Sequence, residues 1–211
     1  MLGQEAYLVE LDKLRFPIIN FRRTAYFGLS VVNFWAIAMG TYMVAAPMMS
    51  WIDYESPSLS VFFWFAGLCA YIIGFYDWYQ GRTMLSFFDF IFGLLFLVIY
   101  FTAELGKYGI WVPYYYYTYM QGTFYTIFLV LLLIVLISLK DRGCIYLCNI
   151  FLIALGLIFV IIWEFSKRLW ARKVAGYILF IAAISLFYTG LGRFVCETYQ
   201  CTTFPLVHPY W

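Results

Sequence analysis

Few side chains in this sequence have chemistry to offer, and most of those stand inside long apolar stretches. Asn33 and Asn149 lie within two such stretches, Asp77 comes near the end of a third, and Glu164 near the end of the stretch that holds Asn149. Asp89 stands about a turn and a half into another. An ionisable or amide group in a lipid-length apolar stretch costs free energy unless it faces protein or water, so these five are the first pointers to function. Asp89 carries Phe92, Gly93 and Phe96 on its side at helical spacing. Its simpler reading is a carboxylate that reaches back to the near interface beside Arg82.

Catalysis has little to work with. The single histidine, His208, stands in the extreme tail, and no phosphate-cradling Gly-Lys-Ser/Thr loop, Gly-x-Ser-x-Gly or His-Glu-x-x-His occurs. No enzyme activity and no cofactor are expected. Cys196 and Cys201 sit together in the tail, but with one histidine the ligand set is too small for zinc, so no metal is expected either. Cys69, Cys144 and Cys148 read as small apolar fillers.

The elements that must position the polar residues are six blocks of mostly apolar residues, at 26–46, 60–79, 84–103, 122–139, 144–165 and 174–194. Each is close to the length, about 20 residues, that crosses a bilayer core as a helix. Of the 211 residues 65% are hydrophobic and 11% charged, a balance that has a natural home only in lipid. The expected fold class is therefore an all-α integral membrane protein. The connections carry turn residues (Pro47, Ser56-Pro57, Gly81, Gly106, Gly109, Pro113, Gly143), and none is long enough for a separate soluble domain. Any site must lie among the helices.

A net charge of +2 gives no reason to expect nucleic acid. Its distribution orients the chain. With six spans both termini share one side, which holds Lys13, Arg15, Arg22, Arg23, Arg82, Lys140, Arg142 and Arg193, against Lys107, Lys167, Arg168, Arg172 and Lys173 opposite. Eight basic residues to five favours cytoplasmic termini, although the cluster after the fifth span pulls the other way. The tail cysteines are then expected as reduced thiols.

Residues 1–22 lack the pattern of a cleaved signal. Tyr7, Leu8, Leu11 and Leu14 recur at helical spacing with Glu5, Asp12, Lys13 and Arg15 between them, up to Pro17. That predicts an amphipathic segment lying on the membrane surface, followed by a transmembrane domain over 23–211. The tyrosine-rich run 111–119 precedes a span and reads as an interfacial aromatic belt. Membrane lipids are thus the first expected partners. Ala66, Ala70 and Gly74 on the second span, Ala36 and Gly40 on the first, and Gly176, Ala183, Gly190 and Gly192 on the sixth form small-residue rows that let backbones approach closely. Self-association through such faces, above all that of the second span, is expected; spacing does not tell a contact within one protomer from one between two.

Several of these segments resemble the acetate uptake transporter family, the bacterial succinate-acetate permeases and their fungal relatives. The best stretch is Gly67-Leu68-Cys69-Ala70-Tyr71-Ile72-Ile73-Gly74-Phe75-Tyr76-Asp77-Trp78-Tyr79-Gln80-Gly81-Arg82-Thr83, similar to a second span in which two glycines precede an acidic-aromatic pair and a Gly-Asn-Thr turn. Phe92-Gly93 resembles the family's Tyr-Gly, Ser138-Leu139-Lys140 its Thr-Leu-Lys, Ala175-Gly176-Tyr177 its Ala-Gly-Trp, and Phe204-Pro205-Leu206 its closing Leu-Pro-Leu. Order and spacing hold from about Arg23 to the C-terminus. At the first span the family's Asn-Pro-Ala-Pro-Leu-Gly-Leu stands as Arg23-Thr24-Ala25-Tyr26-Phe27-Gly28-Leu29, which keeps Ala, Gly and Leu but loses the asparagine and both prolines. Ala70 replaces a glutamine and Arg82 the turn's asparagine, so polar contacts to an anion are missing.

The resemblance implies a six-helix bundle around a central path, assembled as a ring of six, with a hydrophobic narrowing at Val32, Phe92 and Leu152. Asp89 then lies one turn from Phe92. Two like charges about 4 Å apart repel by about 4 kcal/mol at an effective dielectric of about 20. Asp89 is therefore protonated, or faces away, or the chain no longer passes such an anion. Two function classes follow: a channel or transporter for small monocarboxylates or a related small solute, and a transporter-derived, non-transporting structural subunit of a larger membrane complex. The plasma membrane is the favoured location and the mitochondrial inner membrane the alternative.

Overall fold

The computed structural model describes residues 31–52, 57–79, 81, 83–107, 114–138 and 144–199. The predicted surface segment 1–22, the motif residues Arg23 and Gly28, Arg82 and the tail cysteine Cys201 lie outside them. Everything described is helical or turn. The helices are α1 (Val31–Met48), α2 (Pro57–Tyr79), α3 (Thr83–Lys107), α4 (Tyr114–Ser138), α5 (Cys144–Ser166) and α6 (Leu169–Tyr199). Four are long and apolar enough to cross a membrane, over Val31–Met48, Leu59–Tyr79, Ile145–Ser166 and Leu169–Val195; Ser86–Thr102 and Gln121–Ile137 are shorter apolar stretches of α3 and α4. The chain is an integral membrane protein.

The helix ends follow from local chemistry. α1 runs through Pro47 and stops where Ser50 turns to φ 62°, with Ser50 N–H donating to Pro47 O and Trp51 N–H to Ala46 O. That is the paired-bond, left-handed C-cap normally built on glycine. α2 begins at Pro57, whose missing N–H costs nothing in a first turn. It is followed by Gly81 at φ 74°, whose N–H donates to Trp78 O. α4 begins at Tyr114, so much of the tyrosine-rich run forms the first turns of a helix rather than a segment ahead of one. α6 extends five residues beyond the apolar block at each end, because backbone hydrogen bonding does not stop where hydropathy does.

The glycines are spent on close approach between helices of the same protomer. A Cβ on Gly67 would lie 3.1 Å from Gly93 O, and one on Gly93 would lie 3.1 Å from Gly67 O, so α2 and α3 touch backbone to backbone. Gly40 on α1 receives the ring of Phe96 on α3, Gly190 on α6 that of Trp35 on α1, Gly156 on α5 the side chain of Leu179 on α6, and Gly122 on α4 the ring of Phe165 on α5. Phe88, Phe92 and Phe96 descend one face of α3, and Phe92 meets Phe128 of α4 edge-on with ring centroids 5.5 Å apart. One core cluster draws residues from all six helices, while the outer faces expose large apolar side chains such as Val61, Ile72, Ile137 and Ile184.

Of the two contacts that spacing left open for the small residues of the second span, the one within the protomer is made. Ala66 and Ala70 are fully buried, and a Cβ on Gly74 would meet the Phe90 ring of α3 at 2.9 Å. The face is consumed within the protomer. Gly74→Leu should therefore lower thermal stability, by about 1–3 kcal/mol of overpacking, while leaving the assembly mass in light scattering unchanged. A change in assembly mass at unaltered stability would restore the intermolecular role.

Candidate functional site

Antiparallel packing of α2 on α3 through the Gly81 turn brings Asp77, near the end of α2, beside Asp89, early in α3. α1 supplies Asn33, whose Nδ2 donates to Asp89 Oδ1. α6 contributes Arg193, close enough to act electrostatically on Asp77. Its guanidinium lies over the rings of Phe34 on α1 and Tyr146 on α5, 5.4 and 4.9 Å from their centroids. Five helices thus meet around two carboxyl groups, one amide and one guanidinium. Asp77, Asp89 and Asn33 are 5%, 2% and 7% exposed, which rules out a carboxylate reaching to the interface from Asp89. Oδ1 of Asp77 and Oδ1 of Asn33 are buried without a hydrogen-bond partner. A buried acceptor left unpaired costs about 1–3 kcal/mol, so the cluster is under tension unless something donates to it.

The other polar residues do different work. Asn149 donates to Thr189 Oγ1 at 2.9 Å and accepts from Ser185 Oγ, and Thr189 Oγ1 donates back to Ser185 O at 2.7 Å. That set clamps α5 to α6. Buried Glu164 pairs with Lys167 at 2.8 Å across the α5–α6 turn. Of the predicted narrowing, Phe92 (1% exposed) lies in the core cluster, Leu152 is half-buried against that cluster, and Val32 is 44% exposed. Asp89 sits one turn from Phe92, so the carboxyl cluster borders the aromatic centre of the bundle. Among the motif residues, Gly67 and Gly74 make the α2–α3 contact, Gly81 makes the turn, and Thr83 opens α3. Arg193 and the Asn33–Asp89 bond were not singled out from sequence. The approach of Asp77 to Asp89 was not read from the sequence either, although the tight turn at Gly81 is the signal that could have found it; nothing local marks the approach of α1 and α6.

The fold is similar to that of the bacterial acetate channel SatP. The two superpose with a TM-score of 0.78 over 84% of this chain and 97% of that one, at 15% sequence identity. No protein-family model matches the sequence, and no curated protein matches it. At that identity the likeness is one of fold alone.

Proposed function

We propose that this chain is a membrane channel or transporter for small monocarboxylates of the acetate type, or for a related small solute. The observation that carries the reading is the fold likeness to SatP, which extends over nearly all of that chain. Six spans are part of the proposal. α3 and α4 have 25 residues each, which at about 1.5 Å per residue exceeds the roughly 30 Å of a hydrocarbon core. In this reading the solute passes through the bundle by way of Val32, Phe92 and Leu152, and copies of the chain assemble as a ring of six in the plasma membrane, the mitochondrial inner membrane being the alternative. Asp77, Asp89, Asn33 and Arg193 form the polar approach to that narrowing.

A second reading, a non-transporting structural subunit of a larger membrane complex, is favoured by one observation. Phe92 packs against Phe88, Phe96 and Phe128, and in the polar cluster beside it two carboxyls stand against one guanidinium, a poor welcome for an anion. Uptake of radiolabelled acetate and of small neutral solutes into liposomes holding the purified protein tests the first reading. Flux above that of empty liposomes is expected, and flux equal to theirs for every solute leaves the structural subunit.

A further inference from the structure

The basic residues that follow the fifth span find no use in a path through the bundle, and their arrangement differs in kind from that of the buried site. Lys167, Arg168, Arg172 and Lys173 fall within seven positions at the turn from α5 to α6, on the end of the bundle opposite Arg193. Only Lys167 and Arg168 separate the two helices. Two of the four are committed to the protein. Lys167, at φ 53°, caps α5 through its N–H to Trp163 O, and its Nζ pairs with Glu164 and lies over the Trp163 ring. Arg172 donates from NH2 to Pro47 O at 2.6 Å and lies over the other side of the same neighbourhood, 5.7 Å from the Trp163 centroid. These contacts tie α1, α5 and α6 together at this end and hold the turn in one shape.

The other two, Arg168 and Lys173, are exposed and have no ion-pair partner among the described residues. Arg168 is the N-cap of α6, its carbonyl accepting from Ala171 and Arg172, and Lys173 stands one turn beyond Leu169 on the same face. Around them Phe165, Leu169 and Trp170 are 48%, 69% and 50% exposed. Both α5 and α6 are apolar enough to span a membrane and are joined here, so the turn lies at the membrane surface, where tryptophan rings settle at headgroup level. Two uncommitted cations therefore stand at headgroup depth above apolar side chains that face acyl chains. Arg168 and Lys173 therefore carry positive charge that no carboxylate among the described residues pairs.

We propose that the α5–α6 turn is a binding site for an anionic phospholipid, whose headgroup phosphate is held by Arg168 and Lys173 and whose acyl chains lie along Phe165, Leu169 and Trp170. The phosphate comes from the bilayer rather than from solution, because the apolar residues give a free ion nothing further to bind. Lys167 and Arg172 set the shape of the site and are not its ligands.

The test is native mass spectrometry of the purified full chain in detergent micelles containing phosphatidylglycerol and phosphatidylcholine in equal amounts. Phosphatidylglycerol should be retained preferentially. Each basic side chain near an anionic surface is worth about fivefold in binding, so Arg168→Gln with Lys173→Gln should weaken retention roughly twenty-five-fold. The charge-conserving pair Arg168→Lys with Lys173→Arg should keep the preference. Size-exclusion chromatography checks that both pairs of variants remain assembled. Equal retention of the two lipids, an unchanged double glutamine variant, or loss of preference in the charge-conserving one would each overturn the proposal. So would displacement of the lipid by millimolar inorganic phosphate, since that would make the site one for free phosphate.

Discussion

Gly67→Leu is expected to be the most destabilising single substitution outside the aromatic core. A Cβ at this position would lie 3.0 Å from the backbone nitrogen of Leu97 and 3.1 Å from the carbonyl oxygen of Gly93, and 2.8 Å from Leu97 Cγ. Two of those three atoms are backbone and cannot swing aside, so a leucine forces α2 away from α3 as a whole. The cost should reach the top of the usual overpacking range, about 3 kcal/mol, or a fall of about 6–12 °C in unfolding midpoint. Separation of α2 from α3 also parts Asp77 from Asp89. Gly74→Leu meets only the Phe90 ring, which can rotate, and should cost less. Gly81→Ala meets no atom within 4 Å but holds φ 74°, so its cost is conformational, about 1–2 kcal/mol. Differential scanning fluorimetry on the three variants in the same detergent should give that order. A Gly67→Leu protein as stable as the parent would mean that the backbone contact is absent.

Why some features were legible in the sequence and others were not follows from the range over which each is determined. The blocks that became α2, α3 and α5 could be read from hydropathy because lipid-length apolar runs are a local property. The boundaries of α3, α4 and α6 could not, since helix continues through Glu104 and Lys107, through the tyrosines after Pro113, and through Trp170 and Arg172, wherever nothing breaks the hydrogen-bond ladder. The small residues were correctly marked as contact points, yet whether Gly74 meets its own α3 or a neighbouring protomer depends on side-chain bulk at Phe90, sixteen positions away. Asp89 stood out by its setting in an apolar run. Its partner Asn33 is fifty-six residues distant and joined to it only because Gly40 lets α1 close onto Phe96. Arg193 looked like a surface charge for counting topology; in the fold it lies between two rings beside Asp77. The basic cluster after α5 was visible from the start as a contradiction in that count, and only the turn geometry separates its structural cations from its exposed ones.

The buried carboxyl cluster makes the sign of the solute's charge the sharpest property to test. Asp77 and Asp89 face one guanidinium, so with both aspartates ionised the approach to Phe92 carries one unbalanced negative charge. A charge about 6 Å from a passing ion acts on it with about 3 kcal/mol at an effective dielectric of about 20, roughly a hundredfold in rate before salt screening. Asp89→Asn keeps an oxygen that can accept from Asn33 Nδ2, so the fold should hold while Asp77 is left balanced by Arg193. At a pH high enough to ionise both aspartates, anion uptake should then rise tenfold or more and uptake of a small cation should fall; where the adjacent pair shares one proton, Asp89→Asn removes no charge and both uptakes should match the parent. Phe92→Ala acts differently. It removes a ring that is 1% exposed and packed against Phe88, Phe96 and Phe128, at a stability cost of about 3–5 kcal/mol. Where the protein stays assembled, it should raise flux of anion and cation alike. Acetate and methylammonium uptake into liposomes by the parent and both variants separates these effects. Opposite changes for the two ions in Asp89→Asn, with parallel gains in Phe92→Ala, are the signature of a conducting path bordered by that carboxyl. Flat uptake in all three proteins, each shown to be assembled, would remove transport and leave a bundle whose buried aspartates serve only its packing.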